Sequence, residues 1–542
     1  MIGETLANRY ELLAELGGAS DLMRRGRRCV ILFLLVLQGS WASAASGARN
    51  VILMIADGAG FNTWAATAMY QGTYGRDFQD QPGWVCLAAS THPLRRTAAI
   101  PVARRLGLIQ LPALVYDPVK AWDPRPVPEG AGKYPYYFAG YKWLRETASD
   151  SANTATALVT GQRTYRGSIN VDGRGAPIEE TLAWLARKTG RKVGTLSTVP
   201  FSHATPAAAG GAHAKDRRNY CSLAVEMLTQ PGLDFIGGCG HPDFDQNGRE
   251  IREPSAREYR YVGGREVWER LTGAAPLQAG DAVCTRFEGQ SRILGPEEAR
   301  ALGQWTLEQT REQIEALQEG PVPARLLIVP QVGERGFGDE SGGGPTGPGH
   351  VRIGGTLQQQ RGSRADPRFT APGDDPLLTT VPSLETLTRV ALNALDDAPS
   401  GFFLHVEGGA VDWAMHANQM GRMIEEMIDF KRAVGAVTAW VKTHGGWDRT
   451  LLIVTADHDH LLWGPRSNRV PFDPLEDHGA GRLPSYRWLS NRHANSLVPV
   501  FARGADADLL LKHARQADPF YGPYVDQTEL FEAMKAALQP GT

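Results

Sequence analysis

Three largely apolar runs, each followed by a carboxylate, constrain the fold of this 542-residue chain more than any other feature. The runs and the carboxylates that follow them are 51–56 with Asp57, 402–406 with Glu407, and 450–456 with Asp457. Apolar runs that do not alternate with polar residues are typical of parallel strands covered on both faces. We therefore predict an α/β fold: a three-layer doubly wound sandwich with a mostly parallel central sheet, plus long insertions.

Ligands of such sheets gather at the carboxyl ends of the strands. Asp412 and His416 stand four residues apart, which on a helical turn places both on one face, where they could hold one zinc ion. Glu407 can point towards a harder cation that prefers oxygen. Asp457 is followed directly by His458. A helix-capping aspartate would explain any single site, but it does not explain all of them together.

Ser151 is the candidate nucleophile. It follows Asp150 and opens a stretch of small residues, 152–157, that can start a helix. Its hydroxyl would then lie at the positive end of the helix dipole, where a divalent cation could favour its ionised form. A plain N-terminal helix serine would look the same locally. The sequence around Ser151 is not Gly-x-Ser-x-Gly, which argues against a serine hydrolase triad.

Taken in the order in which they occur along the chain, the segments that carry these residues resemble those of the metal-dependent alkaline phosphatases of the binuclear-zinc type. The resemblance runs from about residue 50 to residue 532. The resemblance implies two Zn²⁺ ions and one Mg²⁺ ion. It implies that Ser151 accepts the phosphoryl group. It also implies the zinc ligands, which are Asp57 (shared with magnesium), Asp457 and His458 for one ion, and Asp412, His416 and His493 for the other.

The same resemblance implies the remaining site residues. The segment 203–207 is similar to the family's magnesium-site turn, with Thr205 and Glu407 as ligands and His203 in the outer sphere. A structural role for His203 is the alternative. The segment 213–217 resembles the stretch that carries the phosphate-clamping arginine, which implies Arg217, with Arg218 as the nearest competitor. A guanidinium fork suits the charge on the oxygens of a phosphoryl group in transfer.

The implied activity is hydrolysis of phosphate monoesters through a phosphoserine intermediate, with release of inorganic phosphate. The alternatives are a phosphodiesterase on the same scaffold and a metal-binding homologue without turnover. Residues 151–155 do not form the Cys/Ser-x-Pro-x-Arg motif of a sulfatase. A net charge of -2 without a basic, aromatic-rich patch gives no reason to expect a nucleic-acid partner. A homodimer is compatible with the resemblance.

The amino terminus has the pattern of a secretory signal. Arginines at 24–28 precede an apolar stretch at 29–37, and small residues follow at 42–44. We predict cleavage after Ala44, a true start at Met23, and a periplasmic or secreted protein without a mature transmembrane segment, since the apolar stretch is too short to span a bilayer. The rest, 45–542, is predicted to be one catalytic domain with insertions at about 72–145 and 333–375. The first insertion could set the substrate range or form a subunit contact.

Four cysteines remain after the predicted cleavage: Cys86, Cys221, Cys239 and Cys284. In an oxidising compartment they allow up to two disulfides in three connectivities, and buried thiols are the alternative. Asp243 and Asp245 have the spacing of the first half of a calcium loop, but Pro254 stands at the twelfth position, which excludes a complete EF-hand. A solvated turn is the other interpretation of this segment.

Overall fold

The computed structural model describes residues 49–94, 115–128, 134–246, 248–333, 371–373, 377–378 and 380–539. The predicted secretory segment, most of the 333–375 insertion and Asn247 therefore lie outside the described residues. Within the described part, every helix is too short or too polar to cross a membrane.

Among the described residues, eleven strands form one large sheet, and four more form two small two-stranded sheets, called hairpins below. The strands are β1 (Asn50–Ala56), β2 (Val85–Ser90), β3 (Lys192–Pro200), β4 (Phe235–Cys239), β5 (Ala282–Val283), β6 (Arg292–Ile293), β7 (Thr306–Glu308), β8 (Leu326–Ile328), β9 (Phe402–Gly408), β10 (Thr450–Thr455), β11 (Asp459–Trp463), β12 (Arg487–Ala494), β13 (Val498–Gly504), β14 (Gln516–Asp518) and β15 (Gly522–Asp526). The order in the large sheet is β14-β15-β2-β13-β10-β1-β9-β3-β4-β8-β7, and β5-β6 and β11-β12 are the hairpins.

The centre of the large sheet is parallel and buried. Strand β1 lies between β9 and β10 and runs parallel to both, with Ile55 opposite Glu407 on one side and Thr455 on the other. Every residue of these three strands is buried, as expected for strands that helices cover on both faces. Antiparallel pairing occurs at β10-β13, β13-β2 and β14-β15. The mostly parallel α/β fold predicted from the apolar runs is confirmed.

The helices pack on the sheet in two groups. They are α1 (Phe61–Gln71), α2 (Pro118–Ala121), α3 (Ala139–Glu146), α4 (Ser151–Thr160), α5 (Leu182–Lys188), α6 (Ala204–Ala209), α7 (Tyr220–Thr229), α8 (Arg265–Leu271), α9 (Pro296–Leu302), α10 (Arg311–Ala316), α11 (Leu384–Leu395), α12 (Ala410–His416), α13 (Met420–Thr443), α14 (Leu509–His513) and α15 (Gln527–Leu538), with 3₁₀ turns at Phe78–Asp80 and Ala256–Val262. Helix α4 contacts α5, α6 and α15, whereas α13 contacts α1, α11 and α12.

Segments 115–128 and 134–145 of the predicted first insertion build a second small core, whereas Val85–Ser90, in the same predicted insertion, forms β2 of the large sheet. Tyr116, Phe138 and Tyr141 pack there with Leu461 and Leu489 of the β11-β12 hairpin. The carboxylate of Asp518 accepts hydrogen bonds from Tyr116 Oη at 2.7 Å and from Trp122 Nε1 at 2.9 Å. The inserted segment is thus a lobe held against β11, β12 and the segment between β14 and β15.

Among the described cysteines one disulfide forms, between Cys221 of α7 and Cys284, which directly follows β5, 63 residues apart in sequence. Cys86 and Cys239 remain thiols. The carboxylate of Asp243 accepts hydrogen bonds from Trp268 Nε1 and Tyr259 Oη, and Asp245 accepts one from the backbone of Arg249. Both carboxylates thus accept hydrogen bonds from other residues of the protein.

Candidate active site

Three side chains at the carboxyl ends of β1 and β10 form the first candidate metal site, cluster A (Asp57, Asp457 and His458). One ligand atom from each lies within 4.8 Å of the others. Nε2 of His458 is 3.4 Å from Oδ1 of Asp57 and 3.3 Å from Oδ2 of Asp457. All three residues are buried. They meet because β1 and β10 are parallel neighbours whose carboxyl ends share one edge of the sheet.

Four side chains form the second candidate site, cluster B (Asp412, His416, His460 and His493). Asp412 and His416 lie one turn apart on α12, with His416 Nε2 at 3.2 Å from Asp412 Oδ2. His493 reaches in from β12, and its Nε2 is 3.3 Å from Asp412 Oδ1. The helical spacing read from the sequence therefore corresponds to one shared face, which is completed by two histidines from the β11-β12 hairpin.

The two clusters are adjacent, and Ser151 lies against one of them. The rings of His458 and His493 stack with their centroids 3.6 Å apart. Ser151 Oγ is 3.3 Å from His458 Nε2 and 3.4 Å from Asp57 Oδ2. Ser151 is the first residue of α4, and the side chain of Asp150 caps this helix by accepting the backbone N–H of Asn153. The hydroxyl is thus fixed at a helix N-terminus that faces cluster A.

The loop after β1 lets the clusters approach each other. Gly58 adopts φ +73°, and its N–H donates to Asp457 Oδ1 at 2.9 Å. A Cβ atom at this position would lie 2.7 Å from Met415 Cε and 3.1 Å from Asp412 Oδ1. Because only glycine offers both this backbone conformation and this close approach, the Asp57 loop can lie against α12.

The electrostatics of cluster A fit a cation. Burial, together with the neighbouring carboxylate of Asp457, raises the pKa of Asp57 well above its ordinary value. Burial and the nearby His493 hold the pKa of His458 well below its ordinary value, so the imidazole stays neutral. Crowded buried carboxylates beside a neutral imidazole are the donor set that a divalent ion such as zinc requires.

Cluster B fits a cation as well. Burial alone would raise the pKa of Asp412, but the imidazoles of His416 and His493 outweigh burial and hold that pKa well below its usual range. His493 Nε2 lies only 3.0 Å from His416 Nε2. Their other ring nitrogens are used by the backbone, His416 Nδ1 at 2.7 Å from Asn491 O and His493 Nδ1 at 3.1 Å from Ser149 O. The two Nε2 atoms thus converge beside a carboxylate, which is the arrangement of zinc-binding histidines held by their second nitrogen.

Glu407 and Thr205 supply an oxygen-rich environment beside cluster A. Burial raises the pKa of Glu407 to about 8, although the hydroxyls of Ser197 and Thr205 that hydrogen-bond to it oppose this shift. Glu407 stands opposite Ile55 in the pairing of β9 with β1, two residues before Asp57, and its charge contributes to the raised pKa of Asp57. Carboxylate and hydroxyl oxygens suit a hard cation such as Mg²⁺.

His203 lies at the N-terminus of α6, two residues before Thr205. Its ring stacks on Tyr220 with centroids 4.9 Å apart and meets the edge of Trp413 at 5.5 Å. Tyr261 contributes a third ring at 5.3 Å. His203 is therefore held by aromatic side chains next to the oxygen-rich group.

Of the two candidate arginines, Arg217 faces the site. Its Nη1 is 3.5 Å from Oδ2 of Asp150, and its charge acts on both Glu407 and His416. Arg218, by contrast, is exposed and pairs with Asp216 at 2.6 Å. The structure thus brings Arg217 against Asp150, the residue before Ser151, whereas Arg218 pairs with Asp216.

Sequence reasoning missed His460, Ser197 and the contact between Asp150 and Arg217. His460 Nε2 lies 2.7 Å from Asp412 Oδ1. A signal for His460 was present, because residues two apart on an extended strand face the same side, and His460 stands two residues after His458. Ser197 offers no local signal, because it meets Glu407 only through the pairing of β3 with β9.

Comparison with known proteins identifies a family. A model described as alkaline phosphatase matches residues 134–236 and 360–472. Streptomycin-6-phosphate phosphatase of Streptomyces griseus is 30% identical over 399 residues, which cover 72% of this chain and 78% of that protein. The chain belongs to the alkaline phosphatase family. It is therefore a phosphatase that hydrolyses phosphate monoesters, and metal dependence, a property of the family, agrees with the two clusters.

Other alkaline phosphatases agree with this assignment. The Escherichia coli K12 alkaline phosphatase is 28% identical over 419 residues, 75% of this chain and 78% of that protein. Alkaline phosphatase H of Pseudomonas aeruginosa is 31% identical over 322 residues, and the chain spans only 58% of its length. Among solved structures, the cold-active alkaline phosphatase of a psychrophilic Shewanella sp. has a TM-score of 0.51 at 20% identity, over 90% of this chain and 100% of that chain. That likeness concerns the fold.

Proposed function

We propose that this alkaline phosphatase transfers the phosphoryl group of a monoester first to Ser151 and then to water. The observation that carries the proposal is the position of Ser151 Oγ, 3.4 Å from Asp57 and 3.3 Å from His458, next to the contact between clusters A and B. A serine with a purely structural role at a helix N-terminus would not need two adjacent groups of side chains that could hold metal ions.

The metal content that we propose is two Zn²⁺ ions, one in each cluster, and one Mg²⁺ ion held by Asp57, Thr205 and Glu407. When bound, these cations would stabilise the ionised serine hydroxyl and offset charge on the attacking and leaving oxygens. The support is the donor chemistry: nitrogen and oxygen in clusters A and B, and oxygen alone around Glu407.

The protein's own groups would orient the reaction. Arg217 can bind two non-bridging oxygens of the phosphoryl group through its guanidinium fork. The ion pair with Asp150 orients that guanidinium. The free N–H groups at the start of α4 add a positive field. Ser151 Oγ then bonds to phosphorus as the alcohol leaves from the opposite side. In the second step water attacks the phosphoserine, inorganic phosphate leaves, and the configuration at phosphorus is retained.

We further propose that the protein works outside the cytoplasm, in the periplasm or after secretion, as one catalytic domain (45–542) released from a signal (1–44). The charged, apolar and small-residue order of the amino terminus supports this. The Cys221–Cys284 disulfide supports it as well, because disulfides persist in oxidising compartments.

Replacement of the nucleophile tests the proposal. Ser151→Ala should lower kcat for p-nitrophenyl phosphate by about a thousandfold or more, while metal analysis still finds the wild-type content. Ser149→Ala is the matched control, because it removes a buried hydroxyl two residues away that bonds to Thr91. Wild-type turnover by Ser151→Ala would overturn the serine route. Faster hydrolysis of bis(p-nitrophenyl) phosphate than of the monoester would favour a diesterase.

A further inference from the structure

Arg217 lies at the end of a short segment between α6 and α7, residues 213–217, which we call the clamp loop. The backbone of this loop pairs with the segment that follows α4. Ala214 and Ile169 exchange two hydrogen bonds, at 2.8 and 3.0 Å, and the N–H of Arg217 donates to Gly167 O at 2.7 Å. The position of the Arg217 side chain therefore depends on where this backbone lies.

The segment that pairs with the clamp loop is tied to the nucleophile. Asp150 Oδ2 accepts the N–H of Gly167 at 2.9 Å and lies 3.5 Å from Arg217 Nη1. Asp150 directly precedes Ser151, and its Oδ1 accepts the N–H of Asn153 in the first turn of α4. A shift of the clamp loop would therefore move the guanidinium relative to the serine hydroxyl.

The first residue of the clamp loop, His213, is held by Glu226 of α7. The backbone N–H of His213 donates to Glu226 Oε2 at 3.1 Å, and the ring Nδ1 lies 2.7 Å from Oε1. A carboxylate only accepts, so Nδ1 carries the proton of this second bond. The other ring nitrogen, Nε2, lies 3.2 Å from Ile178 O. One carboxylate thus holds both the main chain and the side chain of His213 through charge-assisted bonds, which are stronger than neutral ones.

This pair lies at the wall of a surface cavity of about 440 Å³, which Thr181, Trp184 and Gln230 also line. On the cavity side the pair has space beside it instead of close apolar packing, so the position of His213 depends on its hydrogen bonds. Truncation at a cavity wall also removes little packing, so variants of both residues should fold.

We propose that His213 and Glu226 are positioning residues, which hold the clamp loop so that Arg217 faces the phosphoryl group. This rests on the proposed function, since it takes Arg217 as the phosphate clamp. The pair acts on the reaction through the backbone of residues 213–217 and through the guanidinium that this backbone carries.

The test is a double-mutant cycle on the inhibition constant of inorganic phosphate, measured with metal-loaded enzyme. His213→Ala should raise this constant by about three- to tenfold, because a displaced guanidinium loses part of a charge-assisted contact. In the Arg217→Ala background the same change should cause no further rise, because both substitutions then act on one contact. His213→Asn should stay near the wild-type value, since its amide Nδ2 can replace Nδ1 as the donor to Glu226.

Two further variants complete the test. Glu226→Gln exchanges one acceptor oxygen for an NH₂ group, so it should cause a smaller rise than His213→Ala, and it decides the question if His213→Ala does not fold. His513→Ala on α14 is the matched control, because it removes another half-buried histidine that faces a glutamate, Glu529, at 3.8 Å. This control should leave the inhibition constant within about twofold of wild type.

A wild-type inhibition constant in both His213→Ala and Glu226→Gln would overturn the positioning role. An equal rise in the wild-type and Arg217→Ala backgrounds would overturn it as well, because His213 would then act independently of Arg217. A rise that is accompanied by loss of metal would have the same meaning. If Arg217→Ala itself leaves the constant unchanged, the clamp role of Arg217 fails and the positioning role fails with it, whereas the serine route depends on Ser151→Ala alone.

Discussion

His460 Nε2 donates a hydrogen bond to Asp412 Oδ1 at 2.7 Å, so a histidine from the β11-β12 hairpin fixes a metal-ligating carboxylate on α12. Burial lowers the pKa of His460 to about 3, and the ring therefore remains a neutral donor. The contact links the hairpin that carries His493 to the helix that carries His416. It makes cluster B a preformed site.

Removal of this donor should weaken metal binding. We expect His460→Ala to lower the zinc affinity of cluster B by about 10- to 100-fold, the usual effect of losing an outer-shell partner. Competition with a chromogenic chelator measures this. His478→Ala is the control, because His478 is exposed and bonds to Ser485, away from both clusters. Equal zinc affinity in His460→Ala and wild type would show that Asp412 needs no such partner.

Substitution of two neighbouring arginines identifies which of them binds phosphate. Arg217→Ala should raise the inhibition constant of inorganic phosphate by about tenfold or more, because a charge-assisted bidentate contact is lost. Arg218→Ala should leave that constant within about twofold, since an exposed pair such as Arg218 with Asp216 contributes little. Inhibition that weakens in Arg218→Ala and not in Arg217→Ala would reverse the assignment.

Asp459 couples the two loops that carry cluster A. Its half-buried carboxylate accepts hydrogen bonds from Ser496 and from the backbone of Gly60 and His460. A Cβ on Gly60 would lie 1.9 Å from Asp459 Oδ1. Gly60→Ala should therefore destabilise the protein by about 1 to 3 kcal/mol, as overpacking does, and should lower the midpoint of thermal unfolding.

The same pair offers an internal control. In the double variant Gly60→Ala with Asp459→Ala the collisions with Oδ1 and Cγ are removed, and the nearest atom left is Asp459 Cβ at 3.0 Å. The double variant should therefore lose less stability than the sum of the losses in the two single variants. Strict additivity of the two shifts in unfolding midpoint would mean that Gly60 and Asp459 act independently.

Stability of the metal-free protein should fall as pH rises from 6.5 to about 8. The folded-state pKa of Glu407 is about 8, raised by burial from 4.5. Between these values the folded state holds a proton that the unfolded state has lost, so each step up in pH favours unfolding. His416, with a pKa raised above 6.5, acts in the same direction.

Glu407→Gln should reduce this slope, because a glutamine does not titrate. Thermal unfolding midpoints of chelator-treated protein at several pH values give the measurement. The prediction fails if the metal-free wild type becomes more stable across this window, or if Glu407→Gln keeps the full slope.

The sequence was enough to predict the central strands of the sheet and the convergence of the carboxylates that follow them. Asp57, Glu407 and Asp457 each follow an apolar run, and parallel strands bring such positions to one edge. The spacing of Asp412 and His416 likewise defined one helical face. The family resemblance extended this to Ser151 and Arg217, whose surroundings in the structure are compatible with the roles proposed for them.

The remaining features depend on long-range packing, which local patterns do not encode. Ser197 meets Glu407 because β3 pairs with β9 across 210 residues of sequence. The lobe around Tyr141 has no clear periodicity and is stabilised by aromatic contacts with Trp463 and Phe472.

The central claim is that Ser151 carries the phosphoryl group during turnover, and direct capture of that species tests it. Wild-type enzyme mixed with substrate and quenched in acid should yield, after proteolysis and mass analysis, a peptide phosphorylated on Ser151. The Ser151→Ala variant should yield no phosphorylated peptide and almost no free phosphate. Full turnover without phosphate on Ser151, or phosphate on a different residue, would contradict the account.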